Sequence, residues 1–280
     1  MFTRNPFHKV LSAYVNKIFL FIFIDLCRKI YTTDHSDFFQ RASPPLEILN
    51  ISFSKILEYT TGMLNLTVEG HFLPPSSYCD VCNIQYNYIG KMETFIDDVK
   101  FIMTSLNQSS LFQAMGNVQS ASDESIISDV VSECFSKLKK TYSCRLRDGI
   151  LRRLWKHLQI RGILSDSQSY PLGGVGMKSA CEIEGKGFLN LAMKAFRRSE
   201  DRPSRQAQRE KYFLMAFRSV PLNILMRYRD FVKRDCDLFG YDCSPDNIFK
   251  GRKDGDEEHN IFSHLAFMYE DDGFQFKIKT

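Results

Sequence analysis

Apolar residues at Phe7, Val10, Leu11 and Tyr14 recur at the spacing of one buried helical stripe and predict a helix from Phe7. Pro6 fixes its own φ and pushes Asn5 out of the α region, so Arg4 and Asn5 reach that helix as an extended or turning pair. The apolar run 18–24 continues as a buried helix, and hydrophobic content stops after Tyr31. Residues 32–45 are largely polar with a proline pair, a loop. Helical spacing returns over 46–63, with Leu49, Phe53, Ile56 and Leu57 toward a core and Tyr59 nearby. Residues 70–78 are irregular and proline-rich. Aromatic alternation over 85–89 predicts a short strand, Gly90 a sharp turn, and Phe95, Val99, Ile102 and Leu106 a helix over 93–106.

The second half is less regular. Residues 119–125 are polar, and 130–158 hold helical segments rich in Lys and Arg. Gly173, Gly174 and Gly176 lie in a loop that lacks the flanking strand and remaining pattern of a nucleotide loop, so it reads as a connector. The charged stretch 197–211 is a solvated helix or a disordered insert. Helical character resumes over 211–241 with Phe213, Phe217, Leu222, Leu225, Tyr228 and Phe231. An acidic loop at 254–258 and a candidate edge strand at 274–278 follow.

Composition bounds the function. A chain of 280 residues can build a sizeable core, as one large domain or two small ones. At 44% hydrophobic and 25% charged it is an ordinary soluble globular sequence. The balance of 37 basic against 33 acidic side chains, net +4, argues against a strongly cationic nucleic-acid binder. It leaves room for a local basic patch facing a sulfated or uronate-rich glycan. The most apolar run, 18–24, is bounded by Lys17 and Asp25 and falls far short of the roughly 20 residues of a spanning helix.

Eight cysteines include one tight pair, Cys79-x-x-Cys82. As half a zinc site it lacks a second pair at ligand spacing. A thioredoxin-like pair needs a helix start after a strand, whereas Pro74, Pro75, Ser76 and Ser77 approach it as a loop. In a secretory compartment, disulfides to other cysteines are the natural alternative. Asn50, Asn65 and Asn107 each open an Asn-x-Ser/Thr sequon, an acceptor in a lumenal protein.

Candidate chemistry begins with Arg4 before the first helix and Ser12 within it. Both can point at one anion near the helix start, where the dipole and free N–H groups favour phosphate and a guanidinium grips with two parallel bonds. The competing reading is an ordinary surface arginine. The segment Arg4-Asn5-Pro6-Phe7-His8-Lys9-Val10-Leu11-Ser12-Ala13-Tyr14-Val15-Asn16-Lys17 resembles the Arg-x-Pro-Phe-x-(Arg/Lys)-hydrophobic-hydrophobic-Ser-Ala-Tyr-x-x-Lys stretch of the Golgi carbohydrate sulfotransferases. The resemblance implies that Arg4 and Ser12 bind the 3′-phosphate of the donor PAPS (3′-phosphoadenosine 5′-phosphosulfate). Lys9 keeps the charge of the frequent Arg without its planar fork.

Two further blocks are similar to the same family, of the human natural killer-1, chondroitin and dermatan type. One runs from His71 through Pro74, Pro75, Cys79, Cys82, Tyr86 and Tyr88 to Gly90-Lys91-Met92-Glu93-Thr94 and the acidic pair Asp97-Asp98. The other, Asp235-Cys236-Asp237-Leu238-Phe239-Gly240-Tyr241, matches at Asp235, Phe239 and Tyr241, while Val232 and Cys236 depart from the pattern. The similar stretches are 3–33, 50–106 and 211–243.

The resemblance implies an α/β, P-loop-kinase-like fold with a central parallel sheet flanked by helices, missing its first strand and 5′-phosphosulfate loop. It implies sulfuryl transfer from PAPS to a glycan hydroxyl, with no metal. Such transfer needs in-line positioning and a base. His71 is the candidate base, set against a structural or surface histidine. Glu93 competes as base or substrate contact, and Lys91 is a candidate for substrate anions, although both can simply begin a helix. Disulfide engagement of Cys79 and Cys82 is implied in the same way.

The upstream loop and membrane anchor of the family have no counterpart in this sequence. We therefore expect an N-terminally truncated fragment of a single-pass type II Golgi membrane protein with a lumenal catalytic part. The alternative is a non-catalytic relative that binds glycan or a partner protein. A third class, a phosphate-binding module acting on something other than sulfate, lacks a Walker-type loop, dinucleotide fingerprint or metal-carboxylate cluster. Residues 1–109 and 211–280 are assigned to the sulfotransferase domain and 110–210 to an atypical insertion.

Overall fold

The computed structural model describes residues 1–20, 24–34, 51–62, 69–114, 118–139, 141–173, 177–199 and 201–252. Strand β1 (Phe2–Thr3) pairs in parallel with β2 (Gly90–Lys91), Phe2 opposite Gly90 and Thr3 opposite Lys91. The strand therefore falls at 90–91 rather than at 85–89, and the residue expected to turn sits inside it. The reason is steric. A Cβ on Gly90 would lie 2.5 Å from the Phe2 ring, so glycine lets the two strands meet beneath that aromatic. Among the described residues this pair is the whole sheet of a mostly helical α/β structure.

Helix α1 (Pro6–Ala13) starts where the sequence dictates. Pro6 takes the first helical position, and the Asn5 side chain accepts from the Phe7 and His8 amides at 2.9 and 3.4 Å. A π turn (Tyr14–Ile18) follows, closed by the Phe19 amide on the Tyr14 carbonyl at 2.9 Å. Helix α2 (Ile24–Asp34) extends past the expected end at Tyr31. Of the stretch 46–63 expected to be helical, α3 (Phe53–Gly62) forms the later part; residues 51–52 before it are not helical, and 46–50 and 63 lie outside the described residues. Pro75–Ser77 form a single 3₁₀ turn in the proline-rich segment.

A 3₁₀ turn (Met92–Thr94) leads into α4 (Phe95–Ser105) and then α5 (Ser109–Ala114). The predicted stripe of α4 is only half-covered. Phe95 meets Phe2 with ring centroids 5.0 Å apart, while Leu106 is exposed. Helices α6 (Val118–Lys137), α7 (Cys144–Ile160), α8 (Met177–Glu182) and α9 (Gly185–Arg198) follow. In the charged stretch, α9 runs to Arg198 and α10 (Arg202–Arg218) begins after Asp201, which caps it by accepting from the Ser204 amide. Helix α11 (Leu222–Phe239) ends on Gly240, whose left-handed φ of 64° closes the helix without the steric penalty of a Cβ. A short α12 (Asp246–Phe249) completes the described chain. The acidic loop at 254–258, the strand expected at 274–278 and glycines 174 and 176 lie outside the described residues.

Two cores form. In the first, Phe217 of α10 takes Phe7 and Phe53 edge-on at 5.4 and 5.1 Å, and Tyr228 of α11 meets Phe7 at 5.6 Å. Aromatic contacts of this kind add to plain apolar burial. Tyr228 also donates to the Pro6 carbonyl at 2.9 Å, and Tyr14 to that of Ile51 at 2.9 Å. The second core gathers α6, α7 and α9 around Leu151, Leu154, Trp155, Leu158, Phe188 and Ala192. Disulfide Cys144–Cys181 joins α7 to α8, and Cys236–Cys243 spans the end of α11. Cys79 and Cys82 are free thiols; one bridge joins two helices 37 residues apart in sequence and the other closes a local ring of separation 7.

Buried His157 of α7 donates from Nδ1 to the Val15 carbonyl at 3.2 Å, tying the second core to the π turn. Burial first, and Arg161 next, depress this imidazole to about 3. The folded state thus holds it neutral while the unfolded chain protonates it, so stability falls as pH drops below about 6.5. This group alone accounts for a loss on the order of 1–2 kcal/mol between pH 6.5 and 5. We expect His157→Asn, which keeps a donor near Val15, to flatten urea-unfolding stability over that interval relative to the parent. Equal slopes in the two proteins contradict this account.

Candidate functional site

Three distant chain segments meet at the start of α1. The Asn5 amide donates to Glu93 Oε1 at 2.9 Å, and the Tyr241 hydroxyl donates to the other oxygen of Glu93 at 3.1 Å. Burial, then Glu93, raise the Tyr241 phenol and keep it a donor. Lys91 spans the same junction, its ammonium 3.4 Å from the Gly240 carbonyl and 4.7 Å over the Tyr241 ring. Buried Asp235 of α11 accepts from the Ser76 amide at 3.0 Å and fixes the proline-rich segment. Lys9 reaches that segment from α1 by donating to the Leu73 carbonyl.

Beside these contacts opens a cavity of about 460 Å³ lined by Arg4 and by residues of α1, the π turn and the proline-rich block. Arg4, Ser12 and His71, separate in sequence, all line it. Lys9, Ser12, Ala13 and Asn16 follow helical spacing on the face of α1 opposite Phe7, Val10, Leu11 and Tyr14. This polar stripe was available in the sequence, and it adds Lys9 and Asn16 to the residues already singled out. Glu69 and Tyr78 complete the wall, and Tyr78 lies 5.5 Å from the Lys9 ammonium. Glu93 and Lys91 stand outside the lining, engaged in the junction that positions it.

The chemistry of the lining is cationic and donor-rich. Arg4 donates no hydrogen bond to another described residue, and neither does the Ser12 hydroxyl. Burial lowers the Arg4 guanidinium to about 10, helped by Arg209 and Arg161 and opposed by Glu93 and Tyr241. Burial likewise brings Lys9 down to about 8, against the pull of Asp235. His8, stacked on Phe213 at 4.1 Å, falls to about 4 through burial and then Arg209 and Arg4. An anion entering the cavity relieves this accumulation of positive charge. The amides of Phe7 and His8, by contrast, are already taken by Asn5, so side chains rather than helix-start N–H groups face the ligand.

On the opposite wall His71 is half-exposed, its Nδ1 2.6 Å from Glu69 Oε2. In the neutral imidazole that bond places the proton on Nδ1 and makes Nε2 the acceptor nitrogen. Among the described residues no cluster of His, Cys, Asp and Glu has the makings of a metal site, and no helix is long and apolar enough to cross a membrane. Cys82 accepts from Arg234 at 3.2 Å. Asn107 is exposed at the end of α4, whereas Asn50 and Asn65 lie outside the described residues.

A family model described as the sulfotransferase family matches residues 1–159. No curated protein and no solved structure matches the chain.

The junction carries a prediction. Glu93→Ala strips acceptors from the Asn5 amide and the Tyr241 hydroxyl, and we expect a stability loss of about 1 kcal/mol in urea unfolding. Unchanged unfolding would show that Glu93 does not hold the three segments together.

Proposed function

The chain belongs to the sulfotransferase family, and from that membership we propose that it transfers a sulfuryl group from PAPS to a hydroxyl of a glycan. The supporting observation is the single cavity that unites Arg4, Ser12 and His71. The residues present fit the donor: two cations and an unengaged hydroxyl line a space closed by an imidazole–carboxylate pair.

In this reading Arg4 holds the 3′-phosphate with parallel N–H···O bonds and Ser12 adds a third donor. Lys9, largely charged at neutral pH, offsets the negative charge that builds on the phosphate side of the breaking S–O bond. Glu69 orients His71, whose Nε2 takes the proton from the acceptor hydroxyl as its oxygen bonds to sulfur. PAPS supplies the sulfuryl group and leaves as adenosine 3′,5′-bisphosphate (PAP). Glu93 and Lys91 act by fixing the start of α1 rather than by touching substrate.

We extend the proposal to architecture and location. The parallel pair β1–β2 supports a nucleotide-kinase-like sheet flanked by helices. The two disulfides support an oxidising compartment, the Golgi lumen, with a glycan of chondroitin, dermatan or N-linked type as acceptor.

Labelled PAPS incubated with a panel of these acceptors tests the activity, and calorimetry with PAP tests the donor site. Arg4→Ala is expected to weaken PAP about 10- to 100-fold. His71→Ala is expected to keep PAP affinity while kcat drops by about 10²–10⁴. Parent-like PAP affinity in Arg4→Ala would remove the phosphate role, and full turnover in His71→Ala would remove the base.

A further inference from the structure

The proline-rich segment is anchored in its middle and open on either side. Phe72, Pro74 and Pro75 are buried. Lys9 of α1 donates to the Leu73 carbonyl, and Asp235 of α11 holds the Ser76 amide at 3.0 Å. His71 before this anchor and Tyr78 after it are both exposed, and both line the cavity. Large apolar side chains are also exposed at Ile84, Met92, Phe101 and Leu111, but among the described residues Tyr78 is the one of this kind that lines the cavity.

The backbone beneath the Tyr78 ring is braced on both sides. The Tyr78 and Cys79 amides donate to the Pro75 carbonyl at 3.2 and 2.9 Å, and the Cys79 carbonyl accepts from the Tyr86 hydroxyl at 2.6 Å. The side chain contrasts with this support. Tyr78 is 54% exposed, and among the described residues its hydroxyl makes no hydrogen bond. The Lys9 ammonium stands over the ring, 5.5 Å from its centroid, so the ring is turned toward the polar face of α1. A large aromatic left in water contributes little to folding. Held on a firm turn at the edge of a cavity, it is a preformed surface for a ligand with an apolar face.

A pyranose has that face. Its hydroxyls lie around the rim, while its C–H groups form a flat apolar surface that packs on the electron-rich face of an aromatic ring. A sugar seated on Tyr78 shares the cavity with the His71 imidazole and with Arg4 and Ser12.

We propose that Tyr78 is the acceptor platform of the cavity, its ring packing against the C–H face of one pyranose of the glycan and presenting a hydroxyl of that sugar to His71. This assignment rests on the sulfuryl-transfer reading above and adds to it the residue that selects the acceptor.

The probes are desulfated chondroitin, desulfated dermatan and an N-linked glycan, each with PAPS, on the full chain. Tyr78→Ala is expected to raise KM for the transferred glycan about 10-fold with little change in kcat, and to leave PAP affinity at the parent value. Calorimetry of glycan binding to the PAP-loaded chain reads the same loss without turnover. Tyr78→Phe, which keeps the ring and loses the hydroxyl, is expected to restore most of the affinity, whereas Tyr78→Leu, apolar without a flat face, resembles Tyr78→Ala. The side chain is exposed, and an unchanged melting temperature verifies that each variant is folded. Parent-like glycan KM and affinity in Tyr78→Ala overturn the assignment, as do equal losses for glycan and PAP or a Tyr78→Phe variant as weak as Tyr78→Ala. If the parent transfers sulfuryl to a glycan and Tyr78→Ala does so with unchanged KM, only this addition falls. If the parent neither binds nor sulfates any of the three glycans, the glycan-transfer reading falls with it.

Discussion

The structure depends on how the start of one helix is held. Pro6 and Asn5 define where α1 begins, but they do not determine where it points. Direction comes from outside: Glu93 grips the Asn5 amide, Tyr228 the Pro6 carbonyl, and Phe217 the Phe7 ring. With one face locked into an aromatic core, the opposite face must present Lys9, Ser12 and Asn16 to whatever lies beyond it. The cavity is thus the far side of a packing decision. Tyr241 secures Glu93 in turn, so residues from both ends of the described chain determine the aim of a single guanidinium.

Holding Arg4, Lys9 and Arg161 partly out of water, with Arg209 close by, is unfavourable. Burial is the leading cause of the lowered values at Arg4, Lys9 and Arg161, ahead of any single neighbour. The hydrophobic contacts of Phe7, Phe53, Phe217 and Tyr228 can absorb that penalty because they lie directly beneath it. The arrangement favours compact polyanions over neutral ligands before any shape is considered.

Local patterns were legible. The stripe from Phe7 to Tyr14 and the stop at Pro6 are encoded within a few residues, and the structure follows them. Features that require distant partners were not. β2 exists because Gly90 accepts the Phe2 ring, which the alternation over 85–89 could not reveal. The α4 stripe had the right period, but periodicity does not specify what covers a face. The bridge Cys144–Cys181 depends on helix packing and Cys236–Cys243 on the turn at Gly240, so the tight Cys79-x-x-Cys82 spacing drew attention to sulfurs that remain free. Arg4, Ser12 and His71 were found through resemblance, since no local pattern marks distant residues that share one cavity.

The short covalent ring closed by Cys236–Cys243 contains Gly240 and Tyr241. Opening it frees the hinge from which the tyrosine hydroxyl reaches Glu93, so a thiol-rich environment slackens the tether without touching a single cavity residue. The ring thus limits how far the segment that carries Tyr241 can stray from the end of α11.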